Sequence, residues 1–337
     1  MIKYLGSKRK LVTAIVQTVA ALPRVSRVLD LFSGTSRVGH ALKAAGYAVV
    51  ANDHNAYAYT LARTYVEANR EDWLASVTQL VEELNRLPGR AGWFTETYCE
   101  RSRYLHPKNG ARVDAVRAAI AQKSLPPLLE SVLLTSLMEA ADRVDSTTGL
   151  QMAYLKQWAP RAHRELTLRV PELLPQAASG AGVALNLEAQ DAARTPVDLA
   201  YLDPPYNQHS YLGNYHVWES LVRWDQPAVY GVACKRLDVR ERRSAFNSRR
   251  EFRAAFESVL DALLARYVLV SFSDEGFMTR AEMEECLSQR GGVRTMEHDY
   301  KRYVGAQIGI HNPQGVKVGH VSHLRNKEYL YLLERSR

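Results

Sequence analysis

The sequence contains few cysteines and no long apolar run. Cys99, Cys234 and Cys286 lie far apart along the 337 residues and form no CxxC pair. This pattern excludes a disulfide framework and favours a reducing cytoplasm as the compartment. The apolar run of residues 11–22 is interrupted by polar residues and is too short to span a bilayer. We therefore expect neither a membrane span nor a signal peptide.

A metal-ligand pattern is also missing. His320 and His323 have a spacing that could suit a metal, but no cysteine or acidic residue nearby completes a ligand set. We therefore expect no metal site. Internal repeats and low-complexity tracts are absent as well. Hydrophobic residues make up 46% of the chain, which is enough for a sizeable core and excludes global disorder.

Strands and helices alternate at the start of the chain. Residues 25–32 predict a strand, a helical pattern follows to residue 45, Gly46 ends that helix, and residues 47–53 predict a second strand. Such a βαβ unit is typical of a parallel, doubly wound α/β sheet. Further strands are predicted at residues 183–187, 197–202, 267–272, 293–300 and 328–334, the last two as an antiparallel pair.

Between the second and third strands, helical patterns dominate and strand signals nearly vanish. The simplest arrangement is one α/β domain, formed by residues 1–70 and 176–337, with a helical inserted domain at residues 71–175.

The strongest chemical signal is Asp203-Pro204-Pro205-Tyr206, which directly follows the strand predicted at residues 197–202. It is therefore expected at the carboxyl edge of the sheet, where open α/β sheets bind ligands. The Asp203 carboxylate and the Pro204 carbonyl can accept both N–H groups of an exocyclic amine such as that of adenine. This localises the nitrogen lone pair for attack on a methyl sulfonium. Tyr206 can stack on a base that has left the duplex.

A second signal occupies the first strand-to-helix turn, at residues 30–39. Gly34 permits a tight turn there and the close approach of backbone to a ligand. Asp53 ends the second predicted strand, where an acid can bind ribose hydroxyls. These two features predict a nucleoside-containing cofactor beside the catalytic segment.

Both signals, together with Lys3-Tyr4-Leu5-Gly6-Ser7-Lys8 at the N-terminus, resemble the motifs of Dam-like DNA adenine-N6 methyltransferases, in that family's order. The resemblance covers the chain outside the helical insertion. It implies a Rossmann-like seven-stranded methyltransferase sheet, S-adenosylmethionine as the cofactor and double-stranded DNA as the partner. Because the family includes the modification enzymes of many restriction systems, it also implies a separate restriction endonuclease as a partner.

The resemblance further implies roles for individual residues. Those expected to hold the cofactor are Tyr4, Lys8, Asp30, Phe32, Gly34, Asp53 and Asp191. The catalytic residues are expected to be Asp203, Pro204, Pro205 and Tyr206. The loop after them resembles a substrate-side loop, from which Asn207, Tyr211 and Tyr215 are expected to contact DNA. Ser36 stands where the family often has a second glycine, which predicts a slightly altered cofactor loop. Leu5 and Ser7 also replace the commoner Ala and Gly of the N-terminal motif.

The net charge of +8 suits a polyanionic partner, and three basic tracts could contact phosphates. Residues 101–123 hold six Lys or Arg against one acid, residues 235–253 hold eight against three, and residues 301–327 hold five with no acid. From the first and last tracts, the residues expected to bind DNA are Arg101, Arg103, Arg112, Lys301, Arg302 and Lys317. The insertion is expected to select the target sequence.

Related classes of methyltransferase need different residues at the catalytic position. A cytosine-C5 methyltransferase needs a thiolate nucleophile, usually in Pro-Cys, and none of the three cysteines follows a proline. A cytosine-N4 enzyme uses similar chemistry but usually has Ser in place of Asp203. An RNA or protein-amide methyltransferase more often carries Asn there and has a shorter gap before the motif. A DNA-binding module with an inactive methyltransferase fold is the non-enzyme alternative.

Overall fold

The structure is a computed structural model that describes residues 1–301, 310–311, 317–319 and 325–336, with side chains described outside residues 299–326. The strands are β1 (Arg27–Asp30), β2 (Ala48–Asn52), β3 (Val183–Leu185), β4 (Leu199–Leu202), β5 (Val229–Tyr230), β6 (Lys235–Arg236), β7 (Tyr267–Ser273), β8 (Gly291–Lys301), β9 (Ile310–His311), β10 (Lys317–Gly319) and β11 (Arg325–Arg335). The α-helices are α1 (Val12–Ala20), α2 (Arg37–Ala44), α3 (Ala56–Ala62), α4 (Arg70–Asn85), α5 (Trp93–Thr95), α6 (Pro107–Gln122), α7 (Pro127–Arg143), α8 (Ala189–Ala192), α9 (Tyr211–Asn214), α10 (His216–Arg223), α11 (Phe252–Ala262) and α12 (Arg280–Ser288). Across these described ranges, no helix is long and apolar enough to cross a membrane.

Seven strands form one sheet in the order β3-β2-β1-β4-β7-β11-β8. The neighbouring strands from β3 to β7 are parallel, whereas β11 runs antiparallel to both β7 and β8. Each of these strands overlaps one of the seven predicted strands, so the predicted α/β sheet and its final antiparallel pair are confirmed. The last strand of the chain thus lies inside the sheet rather than at its edge.

Helices cover both faces of this sheet, which explains why its central strands are apolar throughout. Every residue of β4 and of β7 is buried, as expected for strands that pack on two sides. On one face, α1 and α2 pack against residues such as Leu199 and Leu269. On the other face, α8, α11 and α12 pack against residues such as Ala200 and Val268.

The helices of residues 71–175 do not enclose a separate core. Their buried residues, among them Val113 and Leu137, belong to one continuous apolar cluster with Tyr57 of α3 and Trp218 of α10. Because α3 precedes the insertion and α10 follows the catalytic segment, the insertion is fused to the α/β domain through this shared core. The boundaries at residues 71 and 175 therefore do not separate two hydrophobic cores.

The sheet order places a topological switch point between β1 and β4. From β1 the chain moves outward through β2 and β3, and it then returns to β4 on the other side of β1. Asp30 at the end of β1 is in register with Tyr201 of β4. A crevice opens at such a point beyond the carboxyl ends of the strands, which is where doubly wound sheets bind ligands.

Candidate active site

A cleft of about 1030 Å³, measured out to its open mouth, lies at this switch point. Six segments that are distant in sequence form its walls: the N-terminal residues 4–8, the turn after β1, the loop after β2, the loop after β3, the segment after β4 and residues 242–247. Predicted site residues that line it are Tyr4, Lys8, Asp30, Phe32, Gly34, Asp53, Asp203, Pro205 and Tyr211. The structure therefore brings both predicted motifs and the N-terminal motif to one site.

Lys8 is the centre of the charged part of the site. Its ammonium nitrogen Nζ lies 3.1 Å from Asp203 Oδ1 and 3.5 Å from Glu328 Oε1, and its side chain is only 5% exposed. Although burial alone would lower the pKa of Lys8, the Asp203 and Glu328 carboxylates raise that pKa well above its ordinary value. Lys8 is therefore a fixed cation, and it also lies over the ring of Tyr206, 5.7 Å from the centroid.

Asp203 follows β4 directly and is held by Lys8. Burial raises the pKa of its carboxyl to about 6, with the Lys8 ammonium acting in the opposite direction and Glu328 adding to the rise. The carboxyl is therefore ionised at neutral pH while it faces the cleft with one fifth of its side chain exposed. An ionised carboxylate that is largely removed from solvent is a strong hydrogen-bond acceptor.

Asp30 is a second buried acid, at 1% exposure. Its Oδ2 accepts a hydrogen bond of 3.0 Å from the Gly39 amide in the first turn of α2. Burial raises the pKa of Asp30 to about 7, the Gly39 amide lowers it, and the negative charges of Asp203 and Asp53 raise it further. The carboxyl thus supports the turn after β1 from beneath and is half protonated near neutral pH.

Gly34 adopts φ +51°, in the left-handed region that favours glycine. A Cβ at this position would lie 3.2 Å from the Tyr4 ring, so the glycine also allows the N-terminal motif to approach. Ser36, which replaces a family glycine, keeps a left-handed φ of +57° and ends fully buried at the N-cap of α2. The serine that stands in place of the family's second glycine therefore keeps the backbone conformation that a glycine would adopt.

Asp53 is fixed by backbone groups on both sides. Its Oδ2 accepts the Gly34 amide at 3.1 Å, and its Oδ1 accepts the Asn55 amide at 2.9 Å and the Asn55 side-chain nitrogen at 3.1 Å. The carboxylate therefore joins the turn after β1 to the loop after β2. Its Oδ2 accepts only the Gly34 amide in the described structure, which leaves capacity for a hydroxyl donor in the cleft.

Three tyrosines stack at the wall of the cleft. The Tyr4 ring lies between Tyr211, at 5.2 Å, and Tyr215, at 4.6 Å between centroids, with interplanar angles of 8° and 13°. Tyr211 lines the cleft, but Tyr215 is 1% exposed and its hydroxyl accepts the Leu5 amide at 2.6 Å. The expectation that Tyr215 contacts DNA is corrected by this burial, because its ring holds the N-terminal motif in place instead.

Of the predicted catalytic segment, Asp203 and Pro205 line the cleft, whereas Pro204 and Tyr206 are not among its lining residues. Pro204 is buried, and the ring of Tyr206 packs edge-on against Phe272 of β7 at 5.7 Å. The backbone carbonyl of Asn207 accepts a hydrogen bond of 2.8 Å from the Asn247 side chain, which lines the cleft. This bond anchors the loop after the motif.

Asp191 does not reach the cleft. It is exposed in the first turn of α8, whereas Leu187, Glu188 and Ala189 form the wall at that end. The short helix turns the Asp191 side chain away because residues two positions apart on a helix do not share a face.

The insertion arginines differ in their surroundings. Arg101 is exposed. The Arg103 guanidinium lies over the Trp158 ring at 4.5 Å and donates to the Lys156 carbonyl. Arg112 is half-buried and donates to the carbonyls that end α4, including Asn85 O at 3.2 Å. Arg112 therefore caps a helix, and its contact with DNA stays a prediction.

The third basic tract falls largely outside the described residues. Arg302 is one of the residues that the structure does not describe. Lys301 ends β8 and Lys317 begins β10, and for both only the backbone is described.

Four side chains at the site were not anticipated from the sequence. Glu328 of β11 contacts Lys8, and Arg242 lines the cleft beside the loop after β2. The Ser33 hydroxyl and the Asn55 side-chain oxygen also line the cleft, and each is buried without a hydrogen-bond partner in the described structure. The local signal for Glu328 was an acid directly before the apolar run of β11.

A family model described as D12 class N6 adenine-specific DNA methyltransferase matches residues 4–285, which is most of the chain. The chain belongs to this family. It is also 30% identical to Type II methyltransferase M.NlaIII of Neisseria lactamica, over 99% of both chains. It is 26% identical to Type II methyltransferase M.CviAII of Paramecium bursaria Chlorella virus 1, over 90% of this chain and 92% of that one.

A further relative, Type II methyltransferase M.FokI of Planomicrobium okeanokoites, is 28% identical over 89% of this chain but only 49% of its own length. The protein is therefore a site-specific DNA adenine-N6 methyltransferase, as the motifs predicted. Membership of this class removes cytosine-N4 and RNA methylation from the alternatives.

Proposed function

We propose that the cleft binds S-adenosylmethionine and that Asp203 activates the amine of a flipped adenine at its mouth. The observation that carries this proposal is the position of Asp203. Its ionised carboxylate is fixed by Lys8 at the switch-point crevice, next to the glycine turn after β1. A carboxylate and a nucleoside site are thus adjacent in one cleft.

The residues present fit the cofactor. Ser33 and Asn55 offer buried polar atoms that have no partner among the described residues, and an unsatisfied buried group is costly unless a ligand completes it. Asp53 is preorganised to accept ribose hydroxyls, and Phe32 and Leu187 provide apolar walls. When bound, the cofactor supplies an electrophilic methyl group on a sulfonium.

The chain's own residues then act on the base. Asp203 accepts an N–H of the adenine amine, and the Pro204 carbonyl accepts the second, so that the nitrogen lone pair leaves conjugation with the ring. Lys8 holds the Asp203 carboxylate in one position, which removes the need for reorganisation as positive charge develops on the amine. Tyr206 stacks on the flipped base.

Double-stranded DNA is the substrate in this proposal, and the helical segment at residues 71–175 selects the sequence. Arg101 is exposed and Arg103 lies over Trp158 at the insertion surface, so both are available to phosphates or base edges. We assign phosphate contact to Lys301, Arg302 and Lys317 on the grounds of their acid-free tract. Asn207 and Tyr211 contact the strand near the flipped base.

A separate restriction endonuclease and a cytoplasmic location complete the proposal. The named relatives are type II methyltransferases, a class that includes the partners of restriction enzymes. The three cysteines are free and buried, as suits a reducing compartment.

The experiment that tests the function is modification-sensitive long-read sequencing of DNA from cells that express the protein. Cells that express Asp203→Ala are the inactive control. We expect N6-methyladenine within one short sequence in wild-type cells and none in the variant. A different modified base, or equal modification by Asp203→Ala, would overturn the proposed mechanism. Exchange of residues 71–175 with those of a relative should change the modified sequence, and an unchanged sequence would refute their role in recognition.

A further inference from the structure

Glu328 lies beside the active site but outside the region that defines the family match, which ends at residue 285. It is on β11, which the sheet order places between β7 and β8. Its side chain is 8% exposed, and its Oε1 lies 3.5 Å from the Lys8 ammonium. Its second oxygen, Oε2, is buried and has no hydrogen-bond partner in the described structure.

The surroundings of Glu328 make a buried carboxylate expensive. Leu330 and Leu332, which follow it on the same face of β11, belong to the apolar cluster beneath α1. A carboxylate in such a setting is costly unless a cation and hydrogen bonds compensate it. Lys8 compensates one oxygen only. The apolar neighbours of Glu328 do not require an acid at this position, so its charge needs a functional explanation.

Glu328, Lys8 and Asp203 form a continuous chain of ionisable groups. Lys8 lies between the two carboxylates, 3.1 Å from Asp203 and 3.5 Å from Glu328. Glu328 is also in register with His298 of β8 and Ser273 of β7. The His298 ring nitrogen Nε2 is buried and likewise lacks a partner within the described part of the chain. The chain therefore leads from the cleft into the sheet through polar groups with spare capacity.

The methylation reaction has a proton to dispose of. The bond from N6 of adenine to the methyl carbon forms, and the bond from sulfur to that carbon breaks with its electron pair left on sulfur. The nitrogen is then cationic, and it becomes neutral when one N–H bond breaks and its electron pair returns to nitrogen. The proton that leaves needs an acceptor.

We propose that Glu328 is the final acceptor of this proton and that Lys8 conducts it from Asp203. Asp203 takes the proton from the amine. In one concerted step Lys8 gives one of its protons to Glu328 and receives the proton of Asp203, so that Lys8 stays a cation throughout, Asp203 becomes a carboxylate again and Glu328 ends neutral. Glu328 acts through Lys8 and is therefore a positioning and relay residue. This inference rests on the proposed function of Asp203.

The pH dependence of the reaction distinguishes this role from a structural one. The groups that face the chain are Tyr206 after β4, Tyr211 on α9, His298 on β8, Tyr201 on β4 and Asp30 at the end of β1, and Glu275 faces Tyr206. Because the negative charge of Glu328 disfavours ionisation of Asp203, its removal lowers the pKa of Asp203 from about 6. The acid limb of kcat/KM for the methyl donor, which reports on the free enzyme, then moves to lower pH.

The test compares Glu328→Gln with Glu334→Gln, a change of an exposed acid on the same strand that pairs with Arg266. We expect Glu328→Gln to move the acid limb by roughly one pH unit and to slow single-turnover methylation about 10- to 100-fold. Glu334→Gln should match the wild type in both measurements. An acid limb and a rate for Glu328→Gln equal to those of Glu334→Gln would overturn the proposal.

A second variant keeps the proposal testable if Glu328→Gln does not fold. Glu328→Asp retains the charge but withdraws it from Lys8 by one methylene, so we expect the wild-type acid limb and a rate lowered about three- to tenfold. A wild-type rate for this variant would contradict the relay even if thermal melting showed that Glu328→Gln does not fold. Failure of wild type and Glu334→Gln to methylate DNA would instead refute the proposed function.

Discussion

The Arg242 guanidinium lies 3.2 Å from Glu219 Oε1 and 3.0 Å from the backbone carbonyl of His54. Glu219 is 1% exposed, and its Oε2 accepts the Tyr57 amide at 3.0 Å in the first turn of α3. The pair therefore connects the segment after the catalytic motif with the loop that carries Asp53. Two halves of the cleft are held together by one buried acid.

Arg242→Ala should weaken cofactor binding. The variant removes a hydrogen bond to a charged group and frees the His54 carbonyl, and bonds of this kind contribute about 1.5–3 kcal/mol. We expect the dissociation constant for S-adenosylmethionine to rise roughly tenfold or more, as measured by calorimetry. Arg253→Ala, which removes an exposed ion pair with Glu257, is the control and should bind normally. An unchanged affinity in Arg242→Ala would show that the ion pair does not shape the cleft.

Asp203 and Asp53 should fail in opposite ways. Asp203→Ala removes the acceptor for the amine, and loss of one preorganised electrostatic contact typically lowers the rate about 10²- to 10³-fold. Its affinity for S-adenosylmethionine should stay near normal. Asp203→Asn keeps the shape but can present a donor to a donor, so it should also be severely impaired. Asp53→Ala should first raise the cofactor dissociation constant, because the turn after β1 loses its anchor. Near-normal single turnover by Asp203→Ala would refute the mechanism.

Asp30→Asn should stabilise the cofactor-free protein at alkaline pH. Burial raises the pKa of folded Asp30 to about 7, so above that pH the fold carries an unfavourable buried charge. The gain in melting temperature should be complete above about pH 7 and should shrink as pH falls toward the ordinary carboxyl pKa, because Asp30 is then protonated in the folded state. The same variant should bind the cofactor less well. A gain in melting temperature that does not vary with pH would contradict this explanation.

Asp198→Asn provides the control of opposite sign. Although burial opposes ionisation of Asp198, hydrogen bonds from the Arg27 and Ser26 amides and the Ser26 hydroxyl lower its pKa below the ordinary value. Its charge therefore stabilises the fold above the unfolded pKa, and this contribution is lost as pH falls through the folded pKa. Asp198→Asn should thus destabilise the protein at pH values where Asp30→Asn stabilises it.

Gly34→Ala should reduce both stability and cofactor affinity. Alanine in the left-handed region costs roughly 1–2 kcal/mol, and the new Cβ would lie 3.2 Å from the Tyr4 ring. Thermal melting and a cofactor titration measure the two effects. Gly292→Ala is the matched change, since a Cβ there meets nothing within 4 Å. Equal behaviour of the two variants would exclude a conformational role for Gly34.

Arg112→Ala should lower stability without altering the methylated sequence. The Arg112 guanidinium donates to the carbonyls of Leu84 and Asn85 at the end of α4, and its loss should lower the free energy of unfolding by about 1 kcal/mol. Arg101→Ala, at an exposed position, should leave stability unchanged and weaken DNA binding. A changed recognition sequence in Arg112→Ala would contradict this explanation and support its assignment to the DNA interface.

The sheet and the chemistry of this protein could be read from local sequence. The central strands β4 and β7 are buried on both faces and appear as continuous apolar runs, which is why they were predictable with small errors at their ends. The position of Asp203-Pro204-Pro205-Tyr206 could be predicted because the carboxyl ends of parallel strands meet at one edge of the sheet. Gly34 and Asp53 were predictable for the same reason, since Gly34 lies in the turn after β1 and Asp53 directly follows β2.

The tertiary structure alone decided which of the candidate side chains meet and which are buried. Lys8, Asp203 and Glu328 come together only because β11 inserts between β7 and β8, and strand order is a property of the whole sheet that no local pattern encodes. Tyr215 has the residue type of a DNA-binding surface, yet its packing against Tyr4 buries it. Half-buried Arg112 donates to a carbonyl at the end of α4. Residue type and spacing determine what chemistry is available, whereas long-range packing determines the side chains that can use it.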